Sequence, residues 1–276
     1  MSDTLKLGIV GHGFVGKGVD YGFTTPDVKK SIVDPNYKTT VDDLAKFGPH
    51  VTFIATPTPM GDDGSIDSSI LESATKDVIN KCKGLIVIKS TVTPDILEKL
   101  YSMAPDRIVY NPEFLTEANA NEDFINPKMH VFGGDQEACS ALEDIYRDYS
   151  LCRPCPVFYT TVQEASLIKY GINSFLATKV LWFNQFYDIV GNAGARYSSV
   201  IAAIAADPRI GNSHTVVPGF DGKRGYGGAC FPKDTKALSH FAKDFSVLNK
   251  VIEENNKYRS NYELDAREKE QHVKYA

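Results

Sequence analysis

Long apolar runs are missing from this chain of 276 residues. A membrane-crossing helix needs roughly 20 consecutive apolar residues, and no stretch comes near that length. An excess of basic residues is missing too. Thirty Lys and Arg stand against 35 Asp and Glu, a formal net charge of −5. That leaves no basic face for a nucleic-acid backbone, although local basic pockets for phosphates remain open. No positively charged leader with an apolar core precedes Leu5, so no secretory signal is read. A disulfide framework is absent as well: the five cysteines (82, 139, 152, 155 and 230) are odd in number and follow no framework spacing, which fits a reduced, cytoplasmic setting. Cys152-Arg-Pro-Cys155 has the C-x-x-C spacing, but it precedes a strand-like run instead of opening a helix, and no second pair completes a zinc site. Packing is its favoured reading over a redox or metal role. Internal repeats and low-complexity segments are also missing.

What remains is a globular composition, 42% hydrophobic and 24% charged, long enough for one large domain or two modest ones. In the first half, short β-branched runs (Leu5–Val10, 31–34, 51–55, 85–89, 107–110 and 129–132) alternate with helical stretches (15–23, 68–82, 94–101 and 136–149). Such alternation predicts an α/β fold, a Rossmann-like doubly wound parallel sheet. From Val162 the pattern changes to a long helix reaching about Val190, roughly eight turns at about 3.6 residues per turn. Its many large apolar side chains predict burial on several sides, partly by a second subunit. Helices over 197–206 and 234–251 follow. The reading is therefore a sheet domain over 1–160, an all-helical domain over 161–252, and a charged tail over 253–276 that is either a solvated helix or frayed.

Gly11-His12-Gly13-Phe14-Val15-Gly16 follows the first strand and opens the first helix. The first glycine makes the tight turn, the second lets the backbone approach a pyrophosphate, and the third packs helix on strand. Asp34 stands eighteen positions beyond Gly16, where a carboxylate accepts ribose hydroxyls and repels a 2′-phosphate. The pattern predicts NAD over NADP, with Lys38 nearby to soften the preference. The alternative is a structural glycine turn beside a surface aspartate. Near the other end, Cys230 closes the glycine-rich run Gly225-Tyr226-Gly227-Gly228-Ala229, and Lys233 and Asp234 follow. A cysteine at a helix start beside a lysine is expected to carry more thiolate. A small buried cysteine beside a glycine turn is the alternative reading.

Further motifs fall in a fixed order: Thr56-Pro57-Thr58-Pro59, Ser90-Thr91-Val92, Asn111-Pro112-Glu113-Phe114-Leu115 with Glu117, Lys169 with Asn173, and Asp207-Pro208-Arg209. Together with the two glycine-rich segments, they make the chain resemble the UDP-glucose/GDP-mannose dehydrogenase family, nearest its UDP-glucose 6-dehydrogenases, from Leu5 to about Leu238. The resemblance implies NAD-dependent, four-electron oxidation of a sugar CH2OH to a carboxylate, through a thiohemiacetal and a thioester on Cys230. It implies catalytic roles for Lys169, Asn173, Asp234, Thr91 and Glu113. It places Thr56, Pro57, Thr58, Ser90, Glu117 and Lys233 with the cofactor, and Glu113, Phe114, Leu115, Glu117, Lys169, Asn173, Arg209, Tyr226 and Gly227 with the substrate. Relatives pair through the long helix, which implies a homodimer. Taken singly, Lys169 and Asn173 read as helix-surface residues, Glu113 and Glu117 as loop carboxylates, Thr91 as a helix start and Arg209 as half of a surface ion pair. Their joint order assigns them.

Relatives also carry a C-terminal UDP-binding α/β domain. The residues after Asp234 are too few for one, so the chain is expected to lack it. The segment 213–224 is longer than the family's compact loop, and Lys223 and Arg224 are expected to bind substrate phosphates in partial replacement. Two other readings stay open: a two-electron NAD-dependent hydroxy acid dehydrogenase, which needs no cysteine, and a truncated, non-catalytic nucleotide-sugar-binding protein.

Overall fold

The β-branched runs of the first half form a seven-stranded sheet in the order β2-β1-β3-β4-β5-β6-β7, in a computed structural model that describes residues 4–116 and 119–275. The strands are β1 (Leu5–Val10), β2 (Val28–Val33), β3 (Val51–Ile54), β4 (Leu85–Ile88), β5 (Ile108–Tyr110), β6 (His130–Gly134) and β7 (Val157–Thr160). Helices α1 (Phe14–Gly22), α2 (Val41–Phe47), α3 (Ser69–Lys81), α4 (Pro94–Tyr101), α5 (Ala120–Ile125) and α6 (Gln136–Tyr149) connect them. The chain divides into two compact units. The first is Met1–Thr58 with Asp67–Lys169, and the second is Pro59–Ile66 with Tyr170–Ala276.

Within the first unit, β3 and β5 are buried along their whole length. Because successive side chains face opposite sides of a sheet, both faces must be covered there. The apolar core gathers Leu7, Ile9, Phe23, Phe53, Phe132 and Tyr146. Local chemistry sets the ends of the helices. Thr40 and Asp43 form a reciprocal capping box at the start of α2, and Asp135 accepts the amides of Glu137 and Ala138 at the start of α6. The expected sheet is present with one amendment. β1 to β5 run parallel, but β6 pairs antiparallel to β5 through Val109 with Gly134 and Tyr110 with Gly133, and β7 then runs parallel to β6. Helices α2 and α5, which the hydrophobic pattern does not announce, are also present.

The long helix α7 spans Val162–Asn192, 31 residues. Thr161 and Glu164 cap its start reciprocally, with the Thr161 amide donating to Glu164 at 2.8 Å and the Glu164 amide to the Thr161 hydroxyl at 3.2 Å. α8 (Tyr197–Ala205), α9 (Phe231–Phe241), α10 (Ser246–Arg259) and α11 (Ala266–Glu270) complete the second unit. Its small core centres on Ala177, Leu181, Tyr226 and Val251. The single helix expected over 234–251 is two helices. Asn249 holds the break open: its side-chain amide donates to the Lys243 carbonyl at 2.9 Å, and its carbonyl oxygen accepts the Ser239 hydroxyl at 2.6 Å. The segment expected as a charged tail carries the end of α10 and all of α11, with Arg259 and Glu268 buried. No helix among the described residues is long and apolar enough to cross a membrane.

Phe53 is fully buried at the centre of the first unit's aromatic cluster, its ring 5.3 Å from Phe23 and 6.1 Å from Tyr146. Phe53→Ala is expected to destabilise the protein by about 3–5 kcal/mol in urea unfolding.

Candidate active site

The strand order reverses between β1 and β3, so the crevice at the carboxyl ends of these strands is the expected ligand position in a doubly wound sheet. The glycine-rich loop lies there. Gly11 has φ +87°, and a side chain on Gly16 would collide with the Gly11 carbonyl oxygen. A Cβ on Gly13 would meet no protein atom, so the backbone at Gly13 lies open to close approach. α1 begins beside it with no side-chain cap at Gly13 and no acidic residue in the first turn, an arrangement suited to a pyrophosphate. His12, inside this loop, is held by Tyr37 at 2.9 Å and Asp20 at 3.1 Å.

Asp34 follows β2 and is buried. It accepts the His12 amide at 2.8 Å and the Asn36 amide at 2.9 Å. Burial pushes its carboxyl up, but the backbone amides of His12 and Asn36 outweigh that and hold it below the ordinary carboxylate value. The ionised oxygens keep further lone pairs for ribose hydroxyls. Lys38 is exposed at the left-handed end of a 3-10 turn over 35–37.

Two side chains clip together the loops after β3 and β4. Ser90 Oγ donates to the Thr56 carbonyl at 2.6 Å, and Thr58 Oγ1 donates to the Thr91 carbonyl at 2.9 Å. Thr56 Oγ1 is buried without a partner among the described residues. An orphaned hydroxyl and an open glycine backbone at one sheet edge fit a dinucleotide. After β5, Glu113 is tied down by the Leu115 amide at 2.6 Å. The Lys169 ammonium donates to the Glu113 carbonyl at 2.5 Å, lies 3.6 Å from its carboxylate and sits 5.3 Å from the centre of the Phe114 ring. Both charged side chains are buried. Glu117 falls outside the described residues.

In the second unit, Cys230 is the residue that caps α9, with φ −101° and ψ −59°, and it is partly exposed. Asp234 lies one turn on and is 1% exposed. One of its oxygens accepts the Asn173 amide at 2.6 Å and the other accepts Lys233 at 2.7 Å. The structure thus joins Asn173, Lys233 and Asp234 beside the thiol. Other expected residues hold partners of their own. Arg209 makes a bidentate pair with Asp207, its side chain 87% exposed. The Lys223 ammonium donates to the Glu263 carbonyl at 2.7 Å. Arg224 lies between the rings of Tyr187 and Tyr258 and bonds Asn184 and Asp188. Tyr226 is buried, its hydroxyl 3.4 Å from that of Thr235, and burial pushes that phenol up to about 12. Cys152 and Cys155 are free thiols. Burial pushes Cys152 up to about 11.

Sequence reasoning missed two groups. Lys89, at the tip of β4, is 4% exposed and donates to Asn111 at 2.9 Å, which also accepts the Tyr146 hydroxyl at 2.8 Å. A lysine ending a strand carries no signal of burial. Asn255 and Arg259, four apart on α10, brace the cysteine loop, and that spacing was a readable sign of one shared face.

Comparison with known proteins places these features. Residues 28–150 match the UDP-glucose/GDP-mannose dehydrogenase family, NAD binding domain, and residues 163–260 match the same family's central domain. The chain belongs to this family, and its cofactor is NAD. It is 33% identical over 248 residues to UDP-glucose 6-dehydrogenase TuaD of Bacillus subtilis (strain 168), covering 84% of this chain and 52% of that protein. It is 36% identical over 216 residues to UDP-glucose 6-dehydrogenase of Rhizobium meliloti (strain 1021), covering 74% of this chain and 48% of that one. Among solved structures, a UDP-glucose dehydrogenase from the hyperthermophilic archaeon Pyrobaculum islandicum superposes with a TM-score of 0.79 at 28% identity, over 93% of this chain and 69% of that one. The chain spans about half the length of these two curated relatives.

Two measurements follow. Gly16→Ala is expected to lower NAD affinity more than about tenfold by calorimetry, since the loop must move to clear the Gly11 carbonyl. Burial lowers the Lys89 amine from 10.5 to about 8. Between those values the unfolded chain binds the extra proton, so this group's contribution to stability rises with pH. Against Lys89→Met, wild type should gain up to about 3 kcal/mol between about pH 7 and pH 10 in urea unfolding.

Proposed function

We propose that the chain is an NAD-dependent nucleotide-sugar 6-dehydrogenase of the UDP-glucose type, oxidising a CH2OH group to a carboxylate through intermediates on Cys230. The supporting observation is a partly exposed thiol at the amino end of α9, in a chain whose first unit matches an NAD binding domain. A two-electron hydroxy acid dehydrogenase has no use for such a thiol. When bound, NAD supplies the hydride acceptor, and the four electrons removed require two NAD per carboxylate.

The chain's own residues do the rest. The Cys230 thiolate adds to the aldehyde carbon, forming a C–S bond and a thiohemiacetal. Its oxidised form is a thioester, and water breaks the C–S bond to give the carboxylate and return the thiol. Glu113, oriented by the Leu115 amide, takes the proton from that water. The Lys169 ammonium supports negative charge on the reacting oxygen. Asp234, fixed by Asn173 and Lys233, works with Thr91 to orient water. Phe114, Leu115, Tyr226 and Gly227 wall the sugar. Arg209 leaves Asp207 to reach a sugar on a neighbouring subunit. Lys223 and Arg224 reach substrate phosphates only by exchanging the partners they hold in the fold.

The reading includes a homodimer through α7. Phe175, Trp182 and Ile189 recur at seven-residue intervals and are 69%, 53% and 61% exposed, a stripe suited to a second copy of the helix.

With UDP-glucose and NAD, two NADH are expected per sugar consumed. Cys230→Ser should cut carboxylate formation more than about a hundredfold. One NADH per sugar, with Cys230→Ser unimpaired, would return the two-electron reading. No turnover with intact substrate binding would favour the binding protein. Trp182→Asp should convert a dimer to a monomer by light scattering.

A further inference from the structure

Among the described residues, the cysteine loop touches a group of buried polar side chains that the proposed chemistry does not use. Asn255, Arg259 and Glu268 are each 1% exposed or less. Asn255 grips Tyr226 on both sides, accepting its amide at 2.7 Å and donating to its carbonyl at 3.0 Å. Glu268 Oε1 collects three donors: Arg259 Nη2 at 2.9 Å, the Tyr275 hydroxyl at 2.6 Å and the Gly228 amide at 3.1 Å. The guanidinium of Arg259 packs against Gly227, and a Cβ there would collide with its Nη2. The other Arg259 nitrogen reaches Asp221 at 2.8 Å, on the far side of the loop. Glu268 Oε2 accepts the Asp265 amide at 2.9 Å, which closes the capping box of α11. Met60 donates to the Gln271 carbonyl at 3.0 Å, and Lys274 pairs with Asp62 at 2.5 Å, which moors the segment beyond α11.

We propose that Glu268, acting through Arg259 and the Gly228 amide, is a positioning residue that fixes the Gly225–Ala229 loop and so places the Cys230 sulfur at the amino end of α9. The loop needs an external brace. Gly225 and Gly228 sit at φ +74° and +79°, where glycine imposes little preference of its own. The carboxylate that braces it comes from α11, beyond residue 260 where the match to the family's central domain ends. The brace is thus supplied by this chain's own last segment. The inference rests on the reading of Cys230 as the nucleophile, but its test reads the thiol directly and needs no sugar.

Iodoacetamide labelling of Cys230 across pH, followed by peptide mass spectrometry, measures how readily this sulfur ionises, with Cys152 as an internal reference. In Glu268→Ala the Cys230 rate at neutral pH should fall about tenfold and its midpoint move upward, while Cys152 is unchanged. Glu268→Gln, which still accepts the Gly228 amide, should recover most of the rate. A folded Glu268→Ala protein with the wild-type profile at Cys230 overturns the proposal. If both variants fail to fold, amide exchange in the unmodified protein decides. Gly228 and the first turn of α11 should then open together, and a fast-exchanging Gly228 beside a protected α11 overturns the proposal. Loss of turnover with UDP-glucose alone would bear on the assigned reaction and leave the brace standing.

Discussion

One carboxylate organises the thiol side of this protein. Asp234 is almost wholly buried, and neither of its oxygens is unpaired: Asn173 on α7 holds one and Lys233 on α9 holds the other. A carboxylate in such a place is tolerable only because both donors are there. The bond from Asn173 is also what binds the start of α9, and with it Cys230, to the long helix. If Asn173 goes, the carboxylate loses a donor and the start of α9 loses this tie to the long helix; if Lys233 goes, only the donor is lost.

Similar buried polar contacts recur elsewhere among the described residues. Lys169 lies against Glu113, Lys89 against Asn111, and Arg259 against Glu268. The two ion pairs among these add little net stability, because desolvation cancels most of the attraction. Their contribution is geometric: each fixes a loop that has no regular hydrogen-bonding pattern of its own. The stability of the first unit comes from its aromatic and aliphatic core, and the polar pairs are set at the strand tips and helix starts.

How much of this was legible depended on how far apart the interacting residues lie in sequence. The strands of the sheet and the helices α1, α3, α4 and α6 were readable because hydrophobic runs are local; α2 and α5 were not. The glycine loop was readable because its three glycines answer to one turn. The direction of β6 was not readable, since an apolar run is the same in either direction. The break between α9 and α10 was hidden because it is held by Asn249, six and ten residues beyond the Lys243 and Ser239 that it bonds. The partners that Lys223 and Arg224 hold in the fold, Glu263 and the Tyr187–Tyr258 pair, were not readable, since they lie 34 to 40 residues away. Glu268 could be read as a helix cap, whereas its bond to Gly228 could not.

Gly227 sets a limit on how this fold can diverge. Its α-carbon faces a guanidinium with no gap between them, so no mutation there can add so much as a methyl group while Arg259 stays in place. Evolution of this loop is closed at that position as long as the brace stands. The adjoining stretch is the permissive ground: Phe220 is 99% exposed and Val216 is 50% exposed, and neither carries the brace. Substitutions there leave the contacts that hold the cysteine loop in place.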